Sequence, residues 1–181
     1  MNEIKTERLL LNNFEISDAA LVARLAGDKR VVEMTASIPY PYEPSMAVSW
    51  IDTHQKQEVE DLNSIFAIRL NESKDLIGCI NLGINEKHNR AVVGYWLGFD
   101  YWGMGYCSEA LAEVIRFGFE EKKVHKIWAE HKTFNVASGK VMEKNGMIHE
   151  GIMRAHYKQD DGRYLDMSIK SILGSDYKQN I

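Results

Sequence analysis

The chain predicts a mixed α/β fold built on one mostly antiparallel sheet of about six or seven strands. Three apolar runs, at residues 64–70, 76–84 and 91–99, succeed one another across short polar turns, the pattern of an antiparallel meander. Next comes a helical stretch in which Leu111, Val114, Ile115, Gly118 and Phe119 share one face, with Glu109, Glu113, Arg116 and Glu120 opposite. A further strand at 126–131 then lies parallel to 91–99, because a helix crosses over between them. With 181 residues, 45% of them hydrophobic, the chain suits one domain spanning 1–181 and is short for two.

In chain order, Thr6-Glu7-Arg8-Leu9-Leu10-Leu11 reads as the opening strand. Ile16-Ser17-Asp18 supplies a hydrophobic staple and a cap for a helix over 19–25. Residues 38–44 then gather all three prolines with Tyr40 and Tyr42, which rules out regular structure there. Ser45 caps the next helix, on which Val48, Ile51 and His54 share a face. Such a loop is a packed surface crossing or, in a functional reading, one wall of a substrate groove to which Tyr40, Tyr42 and Trp50 contribute. Beyond the meander, residues 135–147 form a short helix stopped by Gly146, and strands at 148–155 and 165–173 close the chain around a turn at 159–162.

The chemistry concentrates where the strand at 91–99 meets the central helix. Tyr95, Trp96, Leu97 and Phe99 suit a strand buried on both faces, and Gly98, Gly103 and Gly105 punctuate the path from that strand to the helix. A helix N-terminus has unpartnered N–H groups and a partial positive charge, so glycines that let an anion approach make a phosphate seat. No basic side chain falls within the loop itself. An ordinary tight turn uses the same glycines. A P-loop is excluded, because Tyr106, Cys107 and Ser108 come after Gly105 in place of Lys and Ser/Thr. The dinucleotide fingerprint lacks its third glycine at Ser108.

Composition removes other classes. A net charge of -4 argues against a general nucleic-acid binder. Cys79 and Cys107 stand far apart without CxxC spacing, so neither a disulfide framework nor a metal site is indicated, and a reduced, cytoplasmic protein fits. Residues 1–8 mix acids and bases, and no run reaches the length of a spanning helix, so neither export nor membrane insertion is expected.

Trp102-Gly103-Met104-Gly105-Tyr106-Cys107, with Glu109-Ala110 after it, resembles motif A of the GNAT acetyltransferase superfamily. The WGxGY form is that of its ribosomal-protein N-terminal, or Rim-type, branch, which the opening TERLLL also resembles. Trp102 stands where the superfamily has Gln or Arg, and Cys107 where it has Gly or Ala. Asn135, Ser138 and the helix ending at Gly146-Met147 resemble motif B. The resemblance covers nearly the whole chain. It implies helices on both sheet faces, a splayed parallel strand pair, and acetyl-CoA as cosubstrate with no metal. The pyrophosphate would sit on the amides of Gly103, Met104, Gly105, Tyr106, Cys107 and Ser108. Pantetheine would lie along Leu97, Gly98 and Phe99 with Asn135 touching it, and backbone groups of Leu97 and Phe99 would help polarise the thioester. Lys144 is a candidate phosphate contact.

The resemblance also implies direct attack by an amine on the thioester. An α-amino group of pKa about 8 is roughly a tenth neutral at pH 7, whereas a lysine at about 10.4 is neutral in under a thousandth of molecules. An N-terminal acceptor therefore asks little of a base. A thiol of pKa around 8 to 9 leaves without full protonation. Many relatives place a tyrosine where this chain has Met142; Ser138 stands in as the catalytic hydroxyl, unless it merely bonds its own helix. Glu86, His131, Glu150 and Asp166 are all candidate bases, and Glu109 belongs to the helix dipole. A depressed Cys107 pKa would open an acyl-cysteine route.

The expected activity is acetyl transfer to the N-terminal α-amino group of a ribosomal protein. Two other readings stand beside it: a small amine such as a polyamine or aminoglycoside as acceptor, and a non-catalytic acyl-CoA sensor, which Met142 keeps open. The antiparallel sheet and exposed aromatics leave room for self-association.

Overall fold

The computed structural model describes residues 3–59, 63–159 and 161–179. The opening strand expected over 6–11 begins only at Leu9, with residues 6–8 in a turn and a two-residue strand ahead of them. β1 (Ile4–Lys5) and β2 (Leu9–Asn12) pair antiparallel around a turn in which Thr6 N–H donates to Leu9 O and Leu9 N–H to Thr6 Oγ1, both at 2.9 Å. The threonine hydroxyl thus competes successfully with the strand ladder.

A 3-10 turn at Ile16–Asp18 leads into α1 (Ala19–Ala26). The Asp18 carboxylate accepts Glu15 N–H at 2.9 Å and Arg69 Nη2 at 2.6 Å, while Arg69 Nε reaches Asn12 Oδ1. α2 (Lys29–Met34) has no counterpart in the sequence reading; it is a six-residue helix capped by Asp28, which accepts Arg30 N–H. α3 (Pro44–Val59) starts at Pro44, ahead of the Ser45 expected to cap it. Proline suits that first position, where its fixed φ is helical and its missing N–H has no partner to lose.

The meander is β3 (Asn63–Leu70), β4 (Leu76–Asn85) and β5 (Arg90–Leu97). α4 (Tyr106–Glu120) crosses over to β6 (Lys126–Lys132), and α5 (Val136–Lys144), β7 (Ile148–Lys158), β8 (Tyr164–Leu173) and α6 (Gly174–Gln179) complete the chain. The sheet runs β1-β2-β3-β4-β5-β6-β8-β7; its eighth strand is the two-residue β1. β7 outruns its expected end at 155 because a bulge, with Asp166 Oδ1 accepting Ala155 N–H, lets pairing resume at Tyr157. Asp160, in the turn expected there, lies outside the described residues.

Helices cover both faces. α4 lays Leu111, Val114, Ile115, Phe117 and Phe119 against Phe66, Ile80, Leu82, Val93 and Ile127. Burying each such side chain is worth about 1.5–3 kcal/mol. Gly118 permits the close approach, since a Cβ there would lie 2.7 Å from the Ile127 side chain. On the other face, Ala19, Val22 and Ala23 of α1 and Ala47 and Ile51 of α3 pack on Ala67, Leu76 and Trp96. Among the described residues no helix is long and apolar enough to cross a membrane.

The junction of β5 with β6 sets the geometry of the cleft. The two are parallel neighbours at Arg90↔Lys126, Ala91↔Ile127 and Val92↔Trp128, and there the pairing ends. β4 holds β5 as far as Leu97 and β8 holds β6 as far as Lys132, so each strand continues while the two part.

The Asp18–Arg69 pair joins the α1 entrance to the sheet with both side chains mostly buried. Arg69→Met is expected to lower stability by about 3 kcal/mol, because it strands the carboxylate without its partner. Urea denaturation measures the loss.

Candidate active site

The loop between β5 and α4 is shaped by two glycines in the left-handed region, Gly103 at φ 76° and Gly105 at φ 82°. Gly105 is the cap residue of α4. Trp102 pins the loop's start: its N–H donates to Phe99 O at 3.1 Å and its indole Nε1 to Leu97 O at 2.9 Å. From Gly103 to Ser108, the backbone N–H groups have no acceptor among the described residues. Six donors at the N-terminus of a 15-residue helix form a concentrated anion seat.

A base attends this loop after all, from outside it. Arg8 Nη1 donates to Met104 O at 3.0 Å, and its guanidinium lies over the Tyr106 ring. Glu109 locks that arrangement by accepting Thr6 Oγ1 at 2.5 Å, Arg8 N–H at 2.9 Å and Arg8 Nε at 2.7 Å. Burial alone would raise the Glu109 pKa, but these hydrogen bonds outweigh it and hold the carboxyl below its ordinary value. Its role is to brace the β1–β2 turn against α4, a long-range contact that helical spacing cannot announce.

A cleft of about 1050 Å³ opens where β5 and β6 part. Leu97, Gly103, Gly105, Tyr106, Cys107 and Ser108 line it from the loop side, Asn135, Ser138 and Lys144 from α5, and Tyr42 and Trp50 from the opposite face. Four expected site residues stand apart from its lining. Phe99 lies in a 3-10 turn beyond the strand, where its ring packs under Arg30 and against Trp102. The carbonyls of Leu97 and Phe99 are both taken by Trp102, which leaves less free backbone there than the sequence suggested. Gly98 is buried with its N–H on Ile77 O, the Met104 side chain is half-exposed, and Tyr40 points outward, 57% exposed.

On α5, Asn135 is the cap: Oδ1 accepts Ser138 N–H at 3.1 Å, and Nδ2 donates to Met34 O at 3.1 Å. Lys132 Nζ likewise donates to Glu33 O, and the Tyr157 hydroxyl to Ala36 O. Three side chains from β6, the α5 cap and β7 thus fasten the end of α2 and the chain beyond it over the cleft. Met142 is buried in the core and offers no proton. Ser138 Oγ lies 2.9 Å from the Tyr95 hydroxyl, a partner that the sequence presents only as one more aromatic strand residue. Burial first, with Cys107 alongside, lifts the Tyr95 phenol above its ordinary value.

The candidate bases separate cleanly. Glu86 sits in the β4–β5 turn, Glu150 is held by Lys126 and Ser171, and Asp166 serves the β7 bulge; none lines the cleft. His131 lines it, but Nδ1–H donates to Lys132 O at 2.9 Å and Nε2 is buried without a partner among the described residues, packed on Gly139. Burial lowers its pKa. The residue missed is Glu130, next to His131 and on the other face of β6. It is the one carboxylate of the cleft lining and makes no hydrogen bond or ion pair among the described residues. Cys107 packs against the core, and burial pushes its thiol up to about 12, so it is no ready nucleophile.

A strand pair that parts beside a loop of free amides offers a notch for an extended molecule next to a seat for an anion. Residues 8–148 match the acetyltransferase (GNAT) domain, and the chain belongs to that family of acyltransferases. It is 29% identical over 178 residues to the uncharacterized N-acetyltransferase p20 of Bacillus licheniformis, covering 98% of this chain and 99% of that one. The ribosomal protein uS5-alanine N-acetyltransferase of Escherichia coli (strain K12) is 26% identical over 108 residues, 59% of this chain and 55% of that one. Among solved structures, a GNAT-family acetyltransferase from Bacillus anthracis superposes with a TM-score of 0.85 at 26% identity, covering 96% and 99% of the two chains. RimJ of Mycobacterium smegmatis, solved with CoA-disulfide, shares the fold with a TM-score of 0.83 at 20% identity over 93% and 83%.

Gly105→Val places a β-branched residue in the left-handed region at the α4 cap, within 3.3 Å of Arg8. Acetyl-CoA binding, measured by calorimetry, is expected to weaken by about tenfold or more, equivalent to about 1.4 kcal/mol.

Proposed function

We propose that this chain transfers an acetyl group from acetyl-CoA to the α-amino group of a protein N-terminus, with a ribosomal protein as the first candidate acceptor. The observation that carries the choice of acceptor is the charge of the cleft lining, which among the described residues has a single carboxylate, Glu130, together with Lys132, Lys140 and Lys144. A polyamine or aminoglycoside carries several positive charges and calls for several carboxylates. One ammonium calls for one. Around it the lining is apolar, with Ile38, Tyr42, Met46, Trp50 and Ile65 offering contact to the residues next to a protein's first amine. The Escherichia coli relative, a ribosomal protein uS5-alanine N-acetyltransferase, supports the same reading.

In this reading the free amides from Gly103 to Ser108 hold the diphosphate, with Lys144 near it, and the thiol-bearing arm lies in the gap between β5 and β6. Glu130 orients the amine and takes its proton as the N–C bond forms. When the C–S bond breaks, Ser138 donates a hydrogen bond to the departing sulfur, which as a thiolate of pKa about 8 to 9 needs no stronger acid. Asn135 acts through Ser138, whose N–H it caps.

Incubation with labelled acetyl-CoA and a ribosomal-protein extract, then mass-spectrometric mapping, is expected to find acetyl groups on N-terminal α-amines. Label confined to polyamines or lysine side chains would overturn the acceptor, and cofactor binding with no transfer would overturn the activity. Ser138→Ala and Glu130→Gln are each expected to lower kcat by about a hundredfold while leaving acetyl-CoA affinity within about twofold. If rate and affinity fall together, both residues are structural.

A further inference from the structure

Two hydroxyls meet at the wall of the cleft. Tyr95 stands on β5 beyond the last β5–β6 pair, in the stretch whose only strand neighbour among the described residues is β4. Its ring packs against the core beneath α4 and α5. Its hydroxyl lies 2.9 Å from Ser138 Oγ and 3.2 Å from the Ser138 carbonyl oxygen, and both residues line the cleft.

A phenol has one proton to give. If it goes to the Ser138 carbonyl, the serine must spend its own proton on the tyrosine oxygen. If it goes to Oγ, the serine proton is left to point elsewhere. The shorter contact is the one to Oγ, and the buried phenol keeps its proton across any working pH. The Ser138 N–H is already committed to Asn135 Oδ1, so the residue is fixed from its backbone on one side and from Tyr95 on the other. What remains free is the serine O–H, in the cleft where the strands have parted.

We infer that Tyr95 is a positioning residue for Ser138: its O–H donates to Ser138 Oγ and thereby leaves the serine proton available to the leaving sulfur. The inference rests on the role proposed for Ser138 as hydrogen-bond donor to that sulfur. It adds a second side chain, from a different element, to the group that serves the leaving thiolate, with no covalent step of its own. The competing account is mechanical, a strut tying α5 to β5 across the gap through the Ser138 carbonyl.

Tyr95→Phe removes the hydroxyl and keeps the ring, so it separates the two. With the full chain, acetyl-CoA and an acceptor peptide, the variant is expected to lower kcat about five- to tenfold, the worth of one oriented hydrogen bond. The acetyl-CoA Kd should stay within about twofold. In a Ser138→Ala background, Tyr95→Phe is expected to have no further effect on kcat. A strut survives Ser138→Ala, because the carbonyl is still there; Tyr95→Phe would then lower kcat and the melting temperature equally in both backgrounds, and the inference would be overturned. It is overturned too if Ser138→Ala slows turnover and Tyr95→Phe does not. Unchanged turnover in Ser138→Ala itself would instead overturn the role of Ser138, and the inference with it.

Discussion

The end of pairing between β5 and β6 governs the rest of the molecule. Three rungs tie them at Arg90, Ala91 and Val92, and beyond these, among the described residues, each strand keeps only its outer strand partner. A parallel ladder that simply stopped would leave two frayed ends. Here β4 and β8 keep both ends straight, so the gap is a fixed notch between them. The start of α4 and α5, with Asn135 and Ser138, line the same cleft. A loop of the same glycines set against a closed sheet would be a turn and nothing more.

Much of this architecture was legible in the chain. The apolar spacing from Leu111 to Phe119 found the central helix, and every residue assigned to its inner face is buried. The glycines at 103 and 105 located the loop, and both are left-handed. What periodicity missed was short or long-range. α2 is too brief to show a period, and the break at Thr6 depends on a hydroxyl that can serve a turn or face a ladder. The Arg8–Glu109 contact joins residues 101 positions apart, and no local pattern encodes it.

The site divided in the same way. Gly103 and Gly105, whose left-handed backbone shapes the loop, were legible because glycine leaves a trace in the sequence. Residues that act through where a strand face points were harder. Glu130 and His131 are adjacent, alternation sends them to opposite faces, and both line the cleft because the strand stands at its edge; sequence spacing cannot show which has its polar group taken within the fold, as His131 Nδ1–H is by Lys132 O. Tyr95 was hidden in a run of aromatics suited equally to plain core packing. Phe99 was misplaced for a related reason: an aromatic after a strand reads as more strand, yet Trp102 folds the chain back by claiming the Leu97 and Phe99 carbonyls.

Lys132, Asn135 and Tyr157 grip the segment over the cleft by its carbonyl oxygens at residues 33, 34 and 36. Every residue type has a carbonyl, so the grip is indifferent to which side chains that segment carries. Met34, Thr35 and Ser37, which face the cleft, can therefore be exchanged without unfastening the roof they belong to. The fold thereby separates holding the roof in place from choosing what passes beneath it, and a chain with this frame can change its clientele by substitution at a few positions.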